Sequence, residues 1–372
     1  MTAYIIRRLL LMIPTLFFIM VLNFVFIQLA PGGPVEQQIA KLTGQGTDIT
    51  ERITRSGTGE TLDSGKSSAS VSGSTSINSK YRGAQGLDPE FIAQLEKQYG
   101  FDKPLHERFF LMMKNYVKFD FGESYFRGKK VVDLVIEKMP VSISLGIWTT
   151  LIVYLISIPL GIAKASRNGT GYDLWTSVLV TIGTAIPGFL FAVFLMITLA
   201  GGQPFSAFPL EGLTSENWDS LSWPAKIKDY LWHMCLPVLA MVIGGFATLT
   251  MLTKNSFLDQ IGLQYVQTAR AKGLSESKVM YGHVFRNAML IVIAGFPAAF
   301  IGVLFTGSLL IETIFSLDGL GLLGFEAMFQ RDYPVVFGTL FFFSFLGLIM
   351  SLIGDLMYTV IDPRIDFEAR RA

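Results

Sequence analysis

Residues 265–274 read YVQTARAKGL. This short basic stretch, rich in small residues, lies in a polar segment, 254–287, between two apolar runs, 232–253 and 288–316. A helix crossing a bilayer needs about 20 mostly apolar residues, and both runs meet that length. Read this way, YVQTARAKGL belongs to a loop between two membrane spans, and the fold follows from it. Four more runs qualify further out, at 9–30, 141–163, 174–200 and 335–361. The expectation is an all-α integral membrane protein with six spans in a lipid bilayer. Composition agrees: 51% of residues are hydrophobic and 16% charged, with a mean hydropathy of +0.47, against about a quarter charged in soluble domains. A net charge of +1 supplies no bulk attraction for nucleic acid. The first run follows Arg7 and Arg8, exceeds a signal-peptide core in length and ends in Gln28 and Leu29 without a small-x-small cleavage pattern. It is expected to remain as an anchor.

Six spans place both termini on one side. Segments 1–8, 164–173, 254–287 and 362–372 carry twelve Lys and Arg, whereas the short loops 201–231 and 317–334 carry three. The positive-inside rule puts the first set in the cytoplasm. Segment 31–140 is then exported, because loops of that length translocate largely regardless of charge. Within it, 56–79 is dominated by Ser, Gly and Thr and reads as a flexible insertion, while 87–140 reads as helical. Asp88-Pro89 marks the start and Gly100 the end of one helix; 103–119 and 131–139 read as two more, and Pro140 opens the second span.

The spans hold little chemistry. Ionisable groups inside membranes usually mark ion or proton pathways. Here Glu312 lies near the outer end of the fifth span and Asp355 about two turns from the inner end of the sixth. Asp355 reads best as an interfacial or helix-pairing residue; the alternative is an ion-coupled secondary transporter that uses it. The single cysteine, Cys235, and the scattered His106, His233 and His283 show no metal-ligand spacing. The expectation there is a buried thiol and an interfacial imidazole. His106 and Glu107 read as a polar helix start. No G-x-x-x-x-G-K-[ST] phosphate loop occurs, so the chain has no nucleotide site of that kind. A solute pathway without its own energy source needs a place to dock one.

The opening stretch fits such a place. Residues 262–272 are helix-compatible, Gly273 suits a C-terminal cap, and Ser275 suits the N-cap of a second helix. Gly262, Val266, Ala269 and Gly273 fall on one face, where small side chains admit a close partner, and Arg270 and Lys272 flank it with charge. The competing reading is a helix lying on the membrane surface.

At this point the sequence resembles the permease subunits of ATP-binding-cassette (ABC) importers, in their oligopeptide/dipeptide form. Their cytoplasmic loop reads E-A-A-x-x-x-G; here Gln267, Thr268 and Ala269 take the first three places and Gly273 the last, so Gln267 and Thr268 depart from the pattern. TARAKG (268–273), the His283, Arg286, Asn287 pattern, IIRRLLLMIPTLFFIMVLNFVFIQLAPGGP (5–34), YGFDKPLHERFF (99–110), FDFGES (119–124) and DPRIDFE (362–368) are similar as well. The likeness covers nearly everything outside about 40–85.

The resemblance implies a type I importer permease in the bacterial inner membrane, with a helical periplasmic domain between spans 1 and 2. It implies ATPase coupling through Tyr265, Val266, Gln267, Thr268, Ala269, Arg270, Ala271, Lys272, Gly273, His283, Arg286 and Asn287. The implied partners are a second six-span permease, a phosphate-loop ATPase with two nucleotide-binding domains and a periplasmic substrate-binding protein. No cofactor is implied for this chain, since ATP and Mg would belong to the ATPase. The implied cargo is oligopeptides, with peptide–nucleotide antibiotics as further passengers.

Overall fold

A computed structural model describes residues 2–29, 32–42, 89–200, 207–302 and 309–361. The Ser/Gly-rich stretch 56–79 and the tail 362–372 lie outside the described residues. The helices in chain order are α1 (Thr2–Leu29), α2 (Pro34–Leu42), α3 (Pro89–Gln98), α4 (Leu105–Tyr116), α5 (Val131–Ser166), α6 (Gly171–Ala185) and α7 (Gly188–Leu195). Then follow α8 (Trp223–Ile261), α9 (Gln264–Ala271), α10 (Glu276–Lys278), α11 (Phe285–Ala294), α12 (Phe296–Gly302), α13 (Leu309–Ile314), α14 (Leu320–Gln330) and α15 (Tyr333–Ile361). The described residues form no strand.

Among the described residues, five helical stretches are long and apolar enough to cross a membrane: Tyr4–Leu29, Val131–Ser166, Trp223–Ile261, Glu276–Gly302 and Tyr333–Met357. A sixth exists if α6 and the run Gly188–Ala200 count as one span, bent by 85°. Pro187 causes the bend. It has no N–H to donate and forces the residue before it out of the helical region; Ile186 sits at φ −91°, ψ 115°. The run expected as one span over 174–200 is thus two helices with a bend between them.

Two other boundaries move. The helix expected at 131–139 does not stop at Pro140: α5 runs through both Pro140 and Pro159. In an apolar medium one lost helix bond costs less than the unsatisfied groups of a full break. α8 likewise starts nine residues before the expected 232. Ser222 precedes it in an extended conformation, and Pro224 sits in its first turn, where a missing N–H is harmless. α1 ends at Leu29, Gly32 takes φ +83°, and Pro34 opens α2.

The chain divides into two units. Unit 1 comprises 1–17, 134–323 and 340–372; unit 2 comprises 18–133 and 324–339. In unit 1, α8 is the central helix, packed by α6, α7 and α11. Its neighbours approach closely through glycine. A Cβ on Gly161 of α5 would lie 2.6 Å from Thr253 Cβ and 2.8 Å from the Thr250 carbonyl oxygen. Small residues at such crossings are how helices associate where the solvent is itself apolar. Leu145, Leu236, Phe257, Val266 and Val284 fill the core.

In unit 2, Val35 and Ile39 of α2 pack with Leu95 of α3 and Tyr99. Gly100 follows at φ +72°, the helix end expected there. Asp332 is buried and accepts from the Ser124 hydroxyl and the Tyr125 N–H. Burial raises its pKa, opposed by those two bonds.

Candidate functional site

The expected docking residues occupy one connection in unit 1. Leu263, extended at φ −77°, ψ 153°, precedes α9, and Gly273 at φ +75° ends it. The Gly273 N–H donates to the Arg270 carbonyl at 2.9 Å and the Leu274 N–H to the Ala269 carbonyl at 3.4 Å. These bonds satisfy carbonyls the helix end would leave bare. Ser275 starts the next helical segment from an extended conformation, without a side-chain cap bond. That segment passes through a π-helical turn, Val279–Val284, into α11, and α9 packs on the π turn.

This packing corrects the expected face. Val266 and Ala269 are buried in unit 1's own core. They anchor α9 and are not offered to a partner. The outward set is Gln267, Thr268, Arg270, Ala271, Lys272 and Gly273, joined by His283 on the π turn and Arg286 and Asn287 at the start of α11. Tyr265 is half-buried, and its hydroxyl donates to Gln260 at 3.0 Å. Thr268 returns its hydroxyl to the Gln264 carbonyl at 2.9 Å. Arg270 spans the turn to pair with Glu276 at 2.8 Å. The result is a polar, basic shelf on an apolar root.

A second element escaped the sequence reading. Lys164, placed in a loop by the apolar count, lies inside α5 and is 0% exposed. Its ammonium donates to the Asp173 carbonyl (2.9 Å), Thr176 Oγ1 (2.9 Å) and Ser177 Oγ (2.7 Å), and lies 3.0 Å from the Asp173 carboxylate. Lys254 of α8 reaches the same carboxylate at 2.7 Å. One anion thus ties α5, α6 and α8 together, and a buried ammonium needs such pairing. Three residues spread over 164–254 give no motif; only the fold assembles them.

A cavity of about 570 Å³ also lies in unit 1, walled by α5, α7, α8, α11, α12 and α13. Thr149, Tyr154, Gly188, Met241, Gly245 and Gly295 typify its lining, which includes no charged side chain. Glycine-rich walls leave main chain accessible, and a neutral lining attracts no ion.

Among the described residues, no three His, Cys, Asp or Glu side chains are gathered as metal ligands would be. The expected burial of Cys235 and His233 is reversed: the thiol is exposed, and the imidazole is buried with Nδ1 2.9 Å from the Asp229 carbonyl oxygen. Two residues apart on a helix means about 200° apart in azimuth, so one inward position fixes the other outward.

Comparison with known proteins places these features. Residues 157–367 match the family described as binding-protein-dependent transport system inner membrane component, and the chain belongs to that family. It is 60% identical, over the full length of both chains, to the peptidoglycan transport system permease protein YejB of Agrobacterium fabrum. It is 57% identical over the same extent to the inner membrane ABC transporter permease protein YejB of Escherichia coli. The oligopeptide transport system permease protein AppB of Bacillus subtilis is 31% identical over 99% of this chain and 100% of its own.

Membership of this family sets aside the ion-coupled alternative. Asp355 has the helix-pairing surroundings also read for it: its carboxylate pairs with Arg8 at 2.5 Å and accepts from the Tyr4 hydroxyl at 3.0 Å. The paired groups belong to α1 and α15.

Proposed function

We propose that this chain is one permease subunit of an ATP-driven importer that takes oligopeptides from the periplasm across the bacterial inner membrane. It forms the pathway with a second permease. Both termini and the loop 254–287 face the cytoplasm, and six spans carry the chain across, the bent α6–α7 pair serving as the third. A periplasmic binding protein delivers cargo, peptide–nucleotide antibiotics among it, and a separate phosphate-loop ATPase with two nucleotide-binding domains holds the ATP and Mg. The relatives named as oligopeptide and dipeptide permeases support the substrate class.

One observation carries the mechanism: α9 has its inner face locked into unit 1 by Val266 and Ala269, and its outer face is polar and basic. A push on Arg270, Ala271 or Lys272 reaches α11 and α8 through packed side chains. ATP-driven closure of the ATPase pair then reorients the helices around the neutral cavity. A neutral, glycine-lined path suits peptide main chain, which carries no net charge of its own.

The test is purification of the tagged chain from native membranes, with its partners identified by mass. A phosphate-loop ATPase and a second permease should accompany it. Ala271→Trp, at an exposed helical position without backbone strain, should release the ATPase while leaving the helices folded. Recovery of the chain alone, or full transport by Ala271→Trp, overturns the docking assignment.

A further inference from the structure

Unit 2 holds a cavity of its own, of about 240 Å³. An engineered cavity of about 150 Å³ accepts benzene, so this one accommodates a single aromatic side chain with part of its main chain. Seven of its sixteen lining residues are aromatic. Tyr99 and Tyr125 lie with ring centroids 4.4 Å apart, and Tyr333 and Phe337 of α15 close another side at 6.1 Å. Rings so held offer edges and faces to an incoming ring.

The cavity also carries charge. Lys103 and Arg108 line it, against one carboxylate, Asp120. The Arg108 guanidinium is held over the Phe101 ring, 3.9 Å from its centroid, which fixes its direction at little entropic cost. Gly100 and Gly122, both lining residues, sit at φ +72° and +79° with nothing within 4 Å of where a Cβ would stand. No side chain of either residue takes up space at the lining.

We propose that this cavity is a subsite for the C-terminal residue of a peptide bearing an aromatic side chain. The ring enters among Tyr99, Tyr125 and Phe337, and the terminal carboxylate meets Arg108 and Lys103. The inference rests on the peptide-importer reading. The small volume and ring-bearing walls favour a peptide end over the long acyl chain of an anionic lipid.

The experiment uses the full chain, purified with its partners in lipid nanodiscs, and the one-ring photoprobe Ala-Ala-(4-azidophenylalanine) with a free carboxylate. After irradiation, labelled residues are mapped by mass. Labels are expected between 99 and 125 or at 333–337. C-terminal amidation of the probe, or Lys103→Gln with Arg108→Gln, should lower labelling about tenfold, the loss expected for a charge-assisted bond. Leu111→Trp lines the same cavity without touching the Phe101 stack, and should abolish labelling even if the double variant folds poorly.

Labels confined to the unit 1 cavity overturn the proposal. So does labelling indifferent to amidation, or labelling displaced by phosphatidylglycerol and not by Ala-Ala-Phe. Uptake of labelled peptide by cells is scored in parallel. Uptake without labels in unit 2 defeats the subsite alone, whereas labels in unit 2 without uptake defeat the importer reading and leave the subsite standing.

Discussion

Two connections in unit 1 pass from one helix to the next through a sharp turn, and they place their main polar groups in opposite ways. Between α13 and α14 the Glu312 carboxylate points inward, while Ser316 and Asp318 of the turn itself are exposed. The fully buried Glu312 carboxylate accepts from Ser142 Oγ at 3.1 Å and from the Leu322 N–H at 2.8 Å, and Ser142 accepts from the Leu320 N–H at 2.8 Å. These are free donors of the first turn of α14, which a carboxylate both satisfies and stabilises electrostatically. Gly319 leaves no space: a Cβ there would stand 2.3 Å from Glu312 Oε1. Between α9 and α10 the polar side chains face outward, and Gly273 has nothing within 4 Å of its missing Cβ. Inward bonds serve the fold. Outward groups held on a rigid root are available to another molecule.

That contrast can be broken by mutation. The largest loss should come from Glu312→Leu, which strips the acceptor from two donors at once; about 3 kcal/mol is expected, on the usual cost of buried unsatisfied groups. Thermal unfolding followed by tryptophan fluorescence measures it, and Glu312→Gln should recover part of the loss. Next comes Gly319→Ala, at about 1–3 kcal/mol for an overpacked site, read in the same assay.

Gly273→Val sharpens the comparison from the other side. Its left-handed backbone makes a β-branched residue cost about 1–2 kcal/mol, yet its larger effect should be on peptide uptake, while Gly273→Asn keeps both. Smallest is Arg270→Ala, since Arg270 and its partner Glu276 are 37% and 67% exposed and such pairs contribute about 1 kcal/mol at most. Stability should barely move, and ATPase recovery on purification should fall. If Arg270→Ala unfolds the chain as readily as Glu312→Leu, the two turns are not different in kind.

Much of this was legible in the residues. Apolar length located the membrane-crossing stretches, and Gly100 and Gly273 ended their helices where capping chemistry places them. The facing of α9 was not legible. A stripe of small residues looks the same whether it meets a partner or the chain's own core, and only tertiary packing assigned Val266 and Ala269 inward. Lys164 was hidden for a related reason: a lysine at the edge of an apolar run looks solvated until Asp173 and Lys254 are brought beside it. Pro140 misled because proline's helix-breaking tendency is calibrated in water, where freed main-chain groups find other partners.

The left-handed residue at 273 also has a genetic consequence. Every amino acid one base change from a glycine codon carries a Cβ, and so meets the strain of φ +75°. Asparagine, among the side chains that best tolerate that conformation, lies two changes away. A lineage can therefore vary the exposed neighbours Gln267, Ala271 and Lys272 to follow a changing partner. It can leave glycine at 273 only through a weakened turn.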